Sequence, residues 1–291
     1  MITKLHTWLQ VVSYRLRLAI RTHLWKAGIK RRFVLFGPKL DRRICQKLFD
    51  DLSFEARKVL LKKNRPQPAR EIPVFLHIPK TGGISVGQLF EANLPITNWY
   101  NTNERPANAY HSDQFICGVN NPQLDIIQGH FDIRLLEILD RPHKAFTFLR
   151  DPVERAVSFF YYLKRYQNDM FFLSEDQKID DVFSSESAYF FENFQTRFLC
   201  GKPTEELTVE DLETAKKNLD KHFSFVGTTE TLQEDIKELG QLFDFSKFSL
   251  QVLNANNIRP AVRELSENTR RLITEKNLFD IQLYDYAVSR R

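Results

Sequence analysis

A lysine, a pair of glycines and two hydroxyls sit together in Lys80-Thr81-Gly82-Gly83-Ile84-Ser85. Glycines let a backbone approach an anion closely, and the amides at a helix start point toward negative charge. Lys80 adds a point charge, and Thr81 and Ser85 add hydroxyls, so the segment has the parts of a phosphate or sulfate cradle. A nucleotide-triphosphatase loop of the G-x-x-x-x-G-K-[ST] kind carries its lysine after the glycines. Here the lysine comes first, which excludes that class. A glycine pair is also a common structural device in tight turns. A second charged segment, Phe148-Leu149-Arg150-Asp151-Pro152-Val153-Glu154-Arg155-Ala156-Val157-Ser158, offers Arg150 and, about two helical turns later, Ser158. A planar guanidinium and a hydroxyl suit a phosphate monoester. Taken alone, the pair is better explained as a surface arginine and a helix serine.

These residues need elements to hold them. Val74–Ile78 is a short apolar run ahead of the glycine loop, and a helical pattern begins at Ser85, so the order is strand, loop, helix. Asp125–Gly129 is a second strand candidate, followed by a helix over about Ile133–Leu139. Ala145–Leu149 is a third, placing Arg150 at a strand's carboxyl end. Asp151 as N-cap and Pro152 at the first helical position then start a helix running to about Tyr166. Further helices are expected at Ala188–Leu199, Val209–Lys221 and Leu232–Leu242, with a strand at Phe223–Val226 and one or two closing helices over Ser266–Val288. Strands alternating with helices imply an α/β fold with a mostly parallel sheet covered on both faces. Ligands of such sheets bind beyond the strands' carboxyl ends.

Composition narrows the function. The chain has 291 residues, 42% hydrophobic and 27% charged, ordinary values that exclude wholesale disorder, collagen and coiled coil. Cys45, Cys117 and Cys200 are too few and too scattered for a disulfide framework or a zinc site, so reduced thiols and no metal are expected. Nine of the 42 basic residues lie in residues 1–40, which hold no acidic one; residues 41–291 carry 33 basic against 37 acidic. A body that bears a slight negative charge is not the spread of positive charge that nucleic-acid binding uses. Leu5, Trp8, Leu9, Val12, Leu16, Ala19 and Ile20 recur at helical spacing. A basic amphipathic arm of this kind, over residues 4–32, could lie on an anionic membrane surface or dock on the protein's own body. A second helical pattern spans 41–62, and the proline-rich, charged segment from Lys62 to Pro73 reads as a linker. No run approaches the ~18 apolar residues of a membrane span, and no signal-peptide pattern is present. The expected division is therefore a basic helical extension and linker, 1–71, and an α/β domain, 72–291. The expected location is the cytoplasm, with the arm able to touch the inner membrane.

The segment His77-Ile78-Pro79-Lys80-Thr81-Gly82-Gly83-Ile84-Ser85, followed by the Phe148–Ser158 segment, resembles carbohydrate sulfotransferase family 2, the group that includes heparan sulfate 2-O-sulfotransferase and many bacterial relatives. Gly129-His130-Phe131, Asn193–Leu199, Phe225–Glu230 and Asn254–Pro260 support it in the family's order, over about residues 72–288. The resemblance implies a P-loop-like three-layer fold that binds 3′-phosphoadenosine 5′-phosphosulfate (PAPS). It implies that Lys80, Thr81, Gly82, Gly83 and Ser85 hold the 5′-phosphosulfate and that Arg150 and Ser158 hold the 3′-phosphate. Ile84 stands where the family usually has threonine, which removes one hydroxyl but no amide. The family also places a catalytic histidine near His130, and imidazole titrates near neutral pH. His130 is thus the expected base for an acceptor hydroxyl, and Lys80 the expected charge on the leaving oxygen. His77 is expected to lie within its strand as packing or support. Gln195 and Arg197 are candidates for touching the acceptor or for tying their helix to the core. Asn256, Asn257 and Arg259 are candidates for closing over the adenine. The acceptor expected is a glycan or other hydroxyl compound. A nucleotide kinase on a related loop, or a non-catalytic membrane-surface protein using the arm, are the alternatives.

Overall fold

A computed structural model describes residues 71–94, 99–101, 119–120, 124–166, 173–174, 176–185, 191–248 and 260–290. The basic arm, the helical pattern over 41–62, nearly all of the linker, and Asn256, Asn257 and Arg259 lie outside the described residues. Two compact units are present. The larger holds Ile72–Glu104, Leu124–Leu136 and His143–Arg291, and with them every described candidate residue. In the other, the Asn120 amide donates to the Ile138 carbonyl and accepts from the Asp140 N–H.

The sheet is built from β1 (Ile72–Leu76), β2 (Trp99–Asn101), β3 (Ile126–Gly129), β4 (His143–Leu149) and β5 (Phe223–Thr228). Its order is β2-β3-β1-β4-β5, with every neighbouring pair parallel. β1 is buried at all of its positions, as a strand covered on both faces must be. It ends two residues before the apolar run does. Ile78 is buried, but Pro79 has no N–H for a ladder and Lys80 turns the chain with a φ of 73°. His77 therefore lies just past the strand, where its N–H still reaches the Gly129 carbonyl at 3.0 Å. β4 begins two residues earlier than its apolar run, because half-buried His143 and Lys144 pair with Ile72 and Pro73. β2 is three residues long, too short for periodicity to reveal.

The helices are α1 (Gly83–Asn93), α2 (Arg134–Ile138), α3 (Pro152–Tyr166), α4 (Ile179–Ser184), α5 (Phe194–Cys200), α6 (Val209–His222), α7 (Leu232–Leu242), α8 (Glu267–Lys276) and α9 (Leu278–Ser289). Asp151 caps α3 as its sequence suggests: Oδ1 accepts the Glu154 N–H at 2.8 Å. Thr208 and Asp211 form a capping box at the start of α6. The helix read over Ala188–Leu199 begins at Phe194. Asn193 sits left-handed at φ 47°, which a helix interior does not allow.

Phenylalanines fill one side of the sheet. Phe146 stacks on Phe75 (centroids 4.9 Å apart) and on Phe90 of α1 (5.3 Å), while Phe148 meets Phe75 edge-on. Ile236 and Leu239 of α7 close this core. A second cluster packs Val157, Phe160 and Leu163 of α3 against Val182 and Phe183 of α4 and Ile273 of α8. Phe146 is fully buried between two rings. Phe146→Ala should lower the unfolding free energy by about 3–5 kcal/mol, measured as a urea midpoint shift at unchanged slope.

Candidate active site

Parallel pairing brings three candidate residues together. Leu76 is in register with Gly129 on one side and with Thr147 on the other. The chain leaving β1 enters the Lys80 turn, the chain leaving β3 is His130, and the chain leaving β4 is Arg150. The Thr147 hydroxyl donates to the Leu76 carbonyl at 2.8 Å and ties the last rungs of β1 and β4.

The turn is tight. Lys80 and Gly82 both have positive φ, 73° and 85°. Glycine takes this conformation freely, whereas a lysine there is under strain of the sort that collects at functional positions. Buried Thr81 closes the turn, its hydroxyl donating to the Ile78 carbonyl at 2.8 Å. In this arrangement that hydroxyl holds the loop's shape rather than projecting from it. Gly82 caps α1, whose first amides, from Gly83, Ile84 and Ser85, have no intrahelical acceptor. Ile84 is 55% exposed, so what it adds to the turn is its N–H. Ser85 is half-buried one residue further on. A Cβ on Gly83 would stand 2.0 Å from Nε2 of His77, so this position has no room for a side chain.

His77 and His130 are packed ring to ring, 4.5 Å between centroids, with His77 also stacked on Phe75. The His130 Nδ1 lies 2.8 Å from the His77 carbonyl oxygen. A carbonyl only accepts, so Nδ1 carries the proton and Nε2 keeps its lone pair. Burial holds the His130 pKa below 6.5; the bond to the His77 carbonyl opposes this, and the nearby Lys80 charge reinforces it. Burial, then His130 and Lys80, push His77 well below the same value. Both imidazoles are therefore neutral at neutral pH. His77 supports the loop and the second ring, as its place in the sequence suggested.

Arg150 joins the two candidate segments. Its Nη1 donates to the Lys80 carbonyl at 3.3 Å, and its Nη2 pairs with Glu154 Oε2 at 3.1 Å. Lys80 Nζ stands 4.3 Å from the centre of the Tyr162 ring. Glu154, half-buried Ser158 and Tyr162 lie four residues apart along α3, so one stripe of this helix follows the site. Glu154 stands at the i+4 spacing from Arg150 that makes ion pairs, a signal present in the sequence, while Tyr162, whose helical spacing suggests core packing, is exposed beside Lys80.

Gln195 and Arg197 are both buried and bonded to main chain. The Gln195 amide accepts the Arg150 N–H and donates to the Arg150 carbonyl, each at 2.9 Å. Arg197 donates to the carbonyls of Glu192 and Glu205. These bonds tie both side chains to main chain, one of the two roles the sequence left open for them. Cys200, half-buried, has its thiol pushed up to about 11 by burial, so it supplies no thiolate at neutral pH.

The profile of the Sulfotransferase family matches residues 71–287. Human heparan-sulfate 6-O-sulfotransferase 1 is 27% identical over 276 residues; the match covers 75% of this chain, and the chain spans 64% of that relative's length. A solved structure, mouse sulfotransferase SULT7A1 complexed with PAP, aligns over 78% of this chain and 92% of that chain at 17% identity and a TM-score of 0.41.

Gly83→Ala, driven against His77, should weaken adenine-nucleotide binding at least about tenfold, a change of roughly 1.4 kcal/mol. Gly87→Ala, where a Cβ meets nothing within 4 Å, should leave affinity unchanged and raise stability by about 0.5–1 kcal/mol. Titration calorimetry and thermal melts separate the two.

Proposed function

This chain belongs to the Sulfotransferase family, and on that premise we propose that it transfers a sulfonate group from PAPS to a hydroxyl of a carbohydrate acceptor. What supports the reading is the junction at the strand ends. The Lys80 turn and Arg150, the two groups suited to separate phosphates, meet through a 3.3 Å bond beside a histidine held in its base-ready tautomer.

When bound, PAPS supplies an activated sulfonate on a phosphate leaving group. The residues divide the rest of the work. The amides of Gly83, Ile84 and Ser85 at the start of α1 face the 5′ end, with the Lys80 ammonium balancing charge that develops on the leaving oxygen. Arg150, whose fork matches phosphate oxygens, and Ser158 hold the 3′-phosphate. His130 accepts the acceptor hydroxyl's proton at Nε2, and the bond from Nδ1 to the His77 carbonyl steadies the imidazolium that results. Tyr162, beneath Lys80, restrains the ammonium. The human relative is by name a heparan-sulfate enzyme, and a saccharide hydroxyl is the acceptor we assign here.

Calorimetry should find 3′-phosphoadenosine 5′-phosphate (PAP) bound about 10- to 100-fold more tightly than AMP or ATP, the worth of one or two bonds to a charged group. A preference for ATP would overturn the reading in favour of a kinase. His130→Ala should lower kcat by about 10²–10⁴-fold with PAP affinity unchanged. Loss of both together would make His130 structural.

The pH profile carries a sign. The base works when neutral, and its pKa is lowered from 6.5, so neutral His130 persists below that pH. Turnover should stay level as pH falls through 6.5 and decline only further down. A half-maximal rate at or above 6.5 would contradict the buried-base arrangement.

A further inference from the structure

Gln195 lies on α5, 45 residues from Arg150 in sequence, yet both ends of its amide are used on Arg150's main chain. Arg150 is the first residue after β4, where the ladder has stopped. Its N–H and carbonyl would otherwise need water or a ligand. The Gln195 amide presents an acceptor and a donor, as the peptide of another strand would. It fixes the residue whose side chain begins there.

Gln195 is itself held. Its own N–H donates to Asp280 Oδ2 at 3.0 Å, and the Thr196 N–H and hydroxyl donate to Asp280 Oδ1 at 2.7 and 2.8 Å. Asp280, on α9, thereby caps α5 from outside the helix. Just upstream, the link is reciprocal. Asn193 donates its N–H to the Asn277 side chain and accepts the Phe279 and Asp280 N–H groups. Burial raises the Asp280 pKa, and the positive charge of fully buried Arg155, which lies over Phe194 and donates to the Phe191 carbonyl, opposes that shift. A chain of buried polar contacts thus runs from the carboxy-terminal helix through α5 to the strand end that carries Arg150. None of its links beyond Arg150 is at the site itself.

We propose that Gln195, docked by Asp280, is a positioning residue that sets the enzyme's selectivity for a nucleotide bearing a 3′-phosphate. This rests on the sulfotransferase reading, in which Arg150 meets that phosphate. Gln195 does not touch the nucleotide. It acts by fixing where the Arg150 side chain starts, and Lys80 and Glu154 bias where that side chain ends. The selectivity follows because AMP lacks the group that Arg150 would grip. Displacing Arg150 therefore weakens PAP and leaves AMP alone.

The test is calorimetric titration of the full chain with PAP and with AMP, for wild type and for Gln195→Met, which keeps the length of the side chain and loses both bonds. The ratio of the two affinities should fall at least about tenfold in Gln195→Met, with the AMP affinity within about twofold of wild type. Arg150→Ala should remove most of the preference, leaving what Ser158 supplies, and Gln195→Met added to it should change nothing more, the non-additivity expected of two residues acting as one. Where circular dichroism shows Gln195→Met unfolded, Gln195→Asn decides, since it keeps a buried amide but withdraws it by one methylene. A variant that retains the wild-type ratio, or weakens PAP and AMP in parallel, overturns the positioning role. A wild-type chain with no preference for PAP overturns the functional reading beneath it, so the two failures are distinguishable.

Discussion

Strands β3, β1 and β4 run parallel with Leu76 opposite Gly129 on one side and Thr147 on the other, and the chemistry of the molecule depends on that register. Side chains alternate faces along a strand, so a slip of one residue would reverse each one and carry the residues that follow out of alignment. The stacked rings of Phe75, Phe146 and Phe90 favour this register, and the Thr147 hydroxyl bonded to the Leu76 carbonyl tightens its last rung. Beyond the rung, His77 continues the pairing to Gly129 and receives the ring of His130 on its carbonyl. Core packing and site geometry are in this sense one structure. The ring that closes the apolar core at Phe75 also stacks on His77, which packs against His130.

What could be read from the residues was local. The Lys80–Ser85 turn, the cap at Asp151 and Pro152, and the helices near 209–221 and 232–242 follow from physics acting within a few positions. The parallel sheet followed from their order. Gln195 shows where such reading stops. An amide on a helix beside a polar segment suits an acceptor contact as well as a main-chain clamp. Only the tertiary fold, which brings it to Arg150, distinguishes the two. Asp280 carries no sequence signal at all, because its partners at Gln195 and Thr196 are some 84 residues away. The left-handed Asn193, which delays the start of α5, is invisible for the same reason: the partners of its side-chain oxygen and of its N–H come from the far end of the chain.

Burial is used at this site to choose protonation states. Two imidazoles in contact with one another and with Lys80 would repel if charged, and desolvation makes that form costlier still. The neutral state is favoured by both causes at once, and the His77 carbonyl selects which nitrogen keeps the lone pair. Arg155 and Asp280 solve the opposite problem. Burial lowers Arg155 to about 10 and raises Asp280, but each stands against the other's charge, and Asp280 also accepts three hydrogen bonds. Arg155 itself makes one hydrogen bond, to the Phe191 carbonyl, so removing either charge would leave the other in the interior with less to offset its burial.

Arg150 stands between these two regimes. Its side chain and that of Glu154 keep 19% and 32% of their surface exposed, and an ion pair at that depth contributes only about 0–1 kcal/mol. That is enough to bias the rotamer of the fork and too little to lock it. A phosphate monoester near neutral pH carries close to two negative charges and three acceptor oxygens, so it competes well with one carboxylate for the same guanidinium. The main chain of Arg150, clamped by Gln195, does not have to move in that exchange. A rigid origin with a weakly tethered tip confines the adjustment to a few side-chain torsions, which keeps the entropy lost on binding small. In the function proposed above, Glu154 is a stand-in for the anion that aligns the fork for a stronger partner.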